Sequence, residues 1–200
     1  MNRNRLVLII FALCLFFTAS CSTTTLKTVW KDKNYNGKKL KKILIIGMAR
    51  KQTIRRLFED EFVGQLKTRG VDAFASYTLI PSTEMLDKAT VESKIKHLGV
   101  DAVLVTRLVE SKKERAYAIP ARTYHRGWYD YYYRSYEYNR QLDNYYEYEV
   151  LNLETNIYAT QTGDLIWSGL SETFVQGTDK EEVEAFIKII IKSLSDNQLI

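Results

Sequence analysis

Bond-making chemistry in this sequence would have to come from two cysteines, two histidines and one loop that follows an apolar run. A thiolate site or a metal site needs Cys and His side chains to converge. Cys14 and Cys21 both lie in the first 21 residues, and His97 and His125 form no H-x-x-H pair. His97 sits near the end of a helical stretch, where the helix dipole favours a cation with no further role. Gly47-Met48-Ala49-Arg50-Lys51-Gln52-Thr53 occupies the position of a phosphate-binding loop. It holds a single glycine, and Arg50 stands where a Walker sequence has glycine before its lysine. Glu59-Asp60-Glu61 are consecutive, so a helix points them to different sides and they make no acid/base pair. The expectation is a protein that is not an enzyme, with no metal and no cofactor.

Binding chemistry is concentrated elsewhere. Residues 117–148 hold 11 of the 14 tyrosines together with Trp128, four arginines and four acids, and no lysine. Tyr, Trp and Arg dominate binding hot spots, because they offer large, rigid area with a polar handle. The candidate binding residues are Tyr124, Arg126, Trp128, Tyr129, Tyr131, Tyr132, Tyr133, Arg134, Tyr136 and Tyr138. The segment's zero net charge argues against nucleic acid, which requires a basic excess. Three readings stay open: a protein-contact surface, including self-association; a glycan or peptidoglycan contact through tyrosine faces; or a long loop packed on its own domain.

Cys21 has its own chemistry. Arg3 and Arg5 precede an uncharged run, Leu6 to Phe17, too short for a spanning helix of about 20 residues but suited to a signal-peptide core. Thr18-Ala19-Ser20 then lead directly into Cys21. This arrangement resembles the lipobox of bacterial lipoproteins, with Thr18 where leucine is commoner. The resemblance implies cleavage before Cys21, acylation of its sulfur and a stable membrane anchor, since two or more chains are buried at about 0.8 kcal/mol per methylene. Ser22 after the cysteine implies, by the same resemblance, an outer-membrane protein facing the periplasm. Cys14 would leave with the signal peptide and Cys21 would be consumed by lipid.

The elements that must carry these residues follow. Loss of residues 1–20 leaves 180 of the 200, enough for one domain, and removes Arg3 and Arg5, so 27 basic residues face 24 acids for a net charge of +3. Seven lysines (27, 31, 33, 38, 39, 41, 42) against Asp32 suggest a lipidated, Lys-rich tether over 21–40, either solvated or lying on anionic headgroups. Domain 41–200, with an insertion at 117–148, then alternates in type. Lys42 to Gly47 reads as a buried strand, and Ile54, Leu57, Phe58, Phe62 and Leu66 as a helix ended by Gly70. The pairs Arg55–Glu59 and Arg56–Asp60 fall on that helix's wet side. Val71–Tyr77 and Asp101–Val109 read as strands, with helical sequence between them. Leu151 to Ile157 alternates like a half-buried strand, Thr160 to Asp164 turns, and Leu165 to Gly169 returns as a hairpin arm. Thr178 and Glu181 form a capping box for a last helix striped by Val183, Phe186, Ile187, Ile190 and Leu194. The predicted fold is α/β: a mixed five-stranded sheet, β-α-β-α-β followed by a hairpin and a C-terminal helix, in a single domain.

Lys42–Gly47, Glu59-Asp60-Glu61-Phe62, Gly70-Val71-Asp72-Ala73 and Gly99-Val100-Asp101-Ala102-Val103-Leu104-Val105 carry a further resemblance, with a looser echo at Gly163-Asp164-Leu165-Ile166-Trp167-Ser168-Gly169. The chain resembles bacterial lipoproteins whose α/β domain is similar to the amino-terminal domain of the Tol-Pal translocation protein and to curli-secretion lipoproteins. That resemblance implies an envelope role. It does not extend to the Tyr-rich insertion, and no pore-forming activity is carried over. The expected function is a membrane-anchored, non-catalytic binding or envelope-assembly module, with a glycan-binding lipoprotein or an envelope hydrolase of dispersed site as the alternatives. Its expected partners are a membrane, through the lipid, and an envelope protein or a second copy.

Overall fold

The uninterrupted run Ile43-Leu44-Ile45 cannot leave either face in water, and all three side chains are fully buried at the middle of a sheet. The computed structural model describes residues 23–35, 38–80, 88–117 and 145–200. Along the chain the elements are β1 (Thr24–Lys31), β2 (Lys42–Met48), α1 (Gln52–Lys67), β3 (Asp72–Ala75), a 3-10 turn (Ser76–Thr78), α2 (Lys88–Leu98), β4 (Ala102–Tyr117), β5 (Tyr145–Ala159), β6 (Leu165–Val175) and α3 (Asp179–Asp196). The strands form one sheet in the order β1-β6-β5-β4-β2-β3. β3, β2 and β4 pair in parallel and the remaining neighbours are antiparallel. The fold is the mixed α/β sheet in a single domain that the sequence predicts, with six strands in place of five.

The sixth strand is β1, inside the stretch read from sequence as tether. Its own sequence alternates weakly, and it becomes a strand by pairing with β6 from Thr24↔Thr173 to Lys31↔Trp167. The buried hydroxyls of Thr24 and Thr173 meet at 2.9 Å, and Lys27 bridges Glu172 at 2.6 Å. Lys31 Nζ donates to the Asn197 carbonyl at 2.7 Å, and Lys39 Nζ to that of Ile200 at 3.1 Å. These lysines fasten an edge strand and its exit loop to the end of α3. Lysines also suit an exposed edge, since they discourage a further strand from adding to it.

One face of the sheet is covered by α1 and α3. Phe58 meets Phe62 edge-on at 5.5 Å and Phe186 at 5.8 Å, joining the two helices. Beneath them Ile43, Ile45, Leu104, Ile157 and Trp167 are all fully buried in one cluster. Each such side chain contributes roughly 1.5–3 kcal/mol by leaving water. Gly169, one strand step from Trp167, has no side chain to occupy the space where the indole lies, and a Cβ there would collide with it. The helix ends behave as the sequence predicts. Gly70 turns left-handed (φ 77°) after α1, and Thr178 and Glu181 close a reciprocal capping box on α3.

One charge assignment is overturned. Arg55 and Glu59 lie on the buried side of α1, with Glu59 at 0% exposure. Glu59 Oε1 accepts from the Gly47 amide (3.0 Å), Arg55 Nε (2.9 Å) and Ser76 Oγ (2.8 Å), while Oε2 accepts from the Tyr77 amide (2.8 Å). Arg55 Nη2 reaches Ser76 Oγ at 2.8 Å and the Ile80 carbonyl at 3.3 Å. An i,i+4 pattern alone cannot separate a wet pair from a buried one. The backbone amides that make burial tolerable come from β2 and from the turn after β3, far along the chain. Glu59 thus ties the end of β2, α1 and the 3-10 turn into one corner.

Candidate functional site

That corner stands at one pole of the sheet. β2 and β4 run toward it and β1 starts from it. The pairings Met48↔Arg107, Arg107↔Glu154, Glu154↔Leu170 and Leu170↔Thr28 lie in one row across the sheet, and Thr24 lies beyond that row toward the pole. α1 and α3 both begin here, α1 following β2 and α3 following β6. In open α/β sheets the crevice outside the carboxyl ends of parallel strands is where ligands bind.

A cavity of about 580 Å³ opens at this position, within the range of small-molecule sites. Ile54 and Phe58 of α1 form one wall, and Val183 and Phe186 of α3 the other. Leu108, Leu151 and Leu153 supply the sheet side. Met48 and Leu108 remain 63% and 48% exposed at its border. The polar atoms here are largely committed. Thr106 pairs with the Thr155 hydroxyl at 2.9 Å, and Thr173 is held by Thr24. Glu182 is buried, yet its carboxylate accepts from the amides of Gln176 and Gly177 (both 2.8 Å) and from Thr23 Oγ1 (2.8 Å).

Charge at the rim is positive. Arg50 and Lys51 line the cavity, and their side chains have no hydrogen bond or ion pair among the described residues. Lys51 is the N-cap of α1 and its side chain caps nothing; the first turn carries no acid to offset the helix dipole. Arg107, also on the lining, is neutralised by Glu154 at 2.7 Å.

Beyond the cavity, β4 and β5 continue as a ribbon. β6 pairs with β5 only as far as Glu149, whereas β4 and β5 stay paired to Tyr117↔Tyr145. Residues 112–117 therefore pass the level of Thr24 by about 20 Å, at 3.3 Å per residue. Cross-strand polar pairs punctuate the ribbon: Arg115–Glu147 at 3.2 Å, Ser111–Glu149 at 2.5 Å and Tyr148–Glu114 at 3.0 Å. The Glu114 carboxylate, accepting from Tyr148, holds that phenol above its ordinary value. The Lys112 ammonium bonds Glu110 at 2.9 Å, which lowers the Glu110 carboxyl and raises the lysine.

No protein-family model matches the chain, and no curated protein matches it. Solved structures similar to it include a PelC dodecamer from Paraburkholderia phytofirmans, at 12% identity and a TM-score of 0.45, covering 84% of this chain and 95% of that one. Lipoprotein GNA1162 from Neisseria meningitidis is also similar, at 12% identity and a TM-score of 0.42, covering 78% of this chain and 98% of that one. At these values the likenesses assign no residue roles.

Cys21 and the ten candidate binding residues, Tyr124 to Tyr138, lie outside the described residues. The structure does place both ends of the Tyr-rich segment, since Tyr117 and Tyr145 are cross-strand partners at the tip of the ribbon. The cavity is the feature that sequence reasoning missed. Its one legible signal was the position of Gly47–Thr53 after a parallel strand, which, tested only against glycine-rich phosphate loops, reads as empty. Among the described residues no group of three or more His, Cys, Asp or Glu side chains is placed to hold a metal, and no helix is long and apolar enough to cross a membrane.

Proposed function

We propose that this protein is a lipoprotein, held on an envelope membrane through acylated Cys21, that acts as a non-catalytic binding or assembly module. The observation that carries the reading is the start of β1. Thr24 follows Cys21 by three residues, so the anchor sits within about 11 Å of the sheet, at the pole from which the β4–β5 ribbon extends. The tip of the ribbon, where Tyr117 and Tyr145 pair, then lies on the membrane-facing side. The lysines of the exit loop, 33–41, belong to the opposite end of β1, about 25 Å away, which turns them from the headgroups. Ser22 favours the outer membrane, with the domain in the periplasm. Binding rather than catalysis is supported by the cavity's buried carboxylate, Glu182, whose oxygens are engaged by the Gln176 and Gly177 amides and the Thr23 hydroxyl.

The partner in this reading is an envelope protein or a second copy of the chain, contacted through the tyrosines, Arg126, Arg134 and Trp128. Because Tyr117 and Tyr145 are neighbours, deleting 128–138 leaves the ribbon's closure intact. The deletion variant is expected to fold with an unchanged melting temperature, and a photo-reactive residue at Tyr131 in the full-length chain is expected to crosslink a discrete protein in cells. Crosslinks to glycan strands alone would replace the assembly reading with a glycan-binding one. Cys21→Ser is expected to abolish incorporation of an alkyne-bearing palmitate and to release the protein from membranes; unchanged incorporation would refute the anchor.

A further inference from the structure

We propose that the cavity between α1, α3 and the sheet is a binding site for a fatty acid, with the alkyl chain buried and the carboxylate held at Arg50 and Lys51. Two observations carry this independently of the lipid anchor. The first is what the interior lacks. Its walls are Ile54, Phe58, Val183 and Phe186, and inside the rim the Thr106 and Thr173 hydroxyls and the Glu182 carboxylate are already bonded to Thr155, Thr24 and the Gln176 amide. An occupant with buried hydroxyls or amides, such as a sugar or nucleotide, would leave those groups unpaired. A hydrocarbon leaves none. The cavity draws residues from four adjacent strands, Met48, Leu108, Leu153 and Thr173, and so runs about 14 Å across the sheet, an elongated shape suited to an alkyl chain.

The second observation is the charge at the rim. Arg50 and Lys51 are exposed cations without partners among the described residues, and they stand beside the uncapped start of α1. The one acid on the lining, Glu182, is turned to the amides of Gln176 and Gly177 and to Thr23. An anionic head at the mouth therefore meets two cations and no exposed carboxylate. A neutral or cationic amphiphile fills the same volume but leaves those cations unanswered.

The test is photolabelling of the full-length protein in its membranes with a diazirine-bearing palmitate, followed by peptide mapping. Labels are expected on the Met48–Lys51 segment, Leu108 or Leu151. They should be suppressed by excess palmitate, with hexadecanol competing about tenfold or more less well, the discrimination expected for a charge-assisted contact. Arg50→Glu with Lys51→Glu, at exposed positions where folding is preserved, is expected to cut labelling by a similar factor. Leu151→Trp should block the cavity and abolish it. Equal competition by the alcohol, or labels spread over the surface, would overturn the proposal. So would labelling seen in Cys21→Ser but absent from the acylated protein, because the cavity would then belong to the protein's own acyl chain.

Discussion

Glu59→Gln is the substitution that most sharply tests the internal logic of the fold. The change keeps volume and shape but removes the charge and converts one carboxylate oxygen into a donor. Four donors converge on Glu59, from Gly47, Arg55, Ser76 and Tyr77, at 2.8–3.0 Å. An amide can face its oxygen toward one group of them, so its nitrogen must abut another donor, and Arg55, itself buried, loses its counter-charge. Breaking a buried pair from one side costs about 3–5 kcal/mol. For a domain of this size each kcal/mol lowers Tm by roughly 2–4 °C, so the expected drop is about 6–20 °C. Thermal unfolding followed by circular dichroism measures it, and urea unfolding gives the matching free energy. Glu61→Gln, two positions on, is the control: among the described residues Glu61 bonds only Gln65 across one turn, and its loss should cost about 0.5 kcal/mol or less. A Glu59→Gln variant within about 1 kcal/mol of the parent would show that this corner is solvated and would refute the buried network.

The same corner and the core give three further expectations. Gly47→Ala places a Cβ 2.8 Å from Phe58 Cδ1, so overpacking of about 1–3 kcal/mol should appear in the same unfolding assay; no loss would mean that Phe58 moves freely. The alternate backbone amides of β1 that bond β6 should exchange slowly with deuterium, whereas free-chain rates at every position over 25–31 would restore the tether reading. The Glu181 carboxyl is held below its ordinary value first by the Thr178 amide and then by the Thr178 hydroxyl. A depressed carboxyl stabilises the fold above the usual glutamate range and loses that contribution as pH falls through it. The stability gap between the parent and Glu181→Gln should therefore narrow from neutral pH to about pH 3; a gap independent of pH would contradict the capping role.

What was legible in the sequence was local. The buried run at Ile43, the helix stripe ending at Gly70, the Thr178–Glu181 box and the alternation from Leu151 to Ile157 each encode their structure within one element. What was hidden depends on partners far along the chain. Thr24–Lys31 is rich in threonine, valine and tryptophan, but with lysines interrupting its apolar alternation it is placed in the sheet only by pairing with β6, almost 150 positions later. Arg55–Glu59 reads as a surface pair until amides from two other elements surround it. The reach of β4 and β5 past the rest of the sheet is likewise a matter of pairing. The outer half of β4, Ser111 to Arg115, is polar, and neither propensity nor hydrophobic pattern marks it as strand. The cavity exists because α1 and α3 both begin short of the sheet's edge, a relation between three elements that no window of sequence contains.

The proposed function requires the pole that carries the cavity to meet the membrane. A fluorophore placed in turn at Met48, beside the cavity, and at Lys33, beyond the far end of β1, would be measured in vesicles carrying nitroxide-labelled lipid with the acylated protein bound. Strong quenching at position 48 and little at position 33 is the expected result. Equal quenching, or the reverse order, would contradict the orientation and with it the function proposed for this fold.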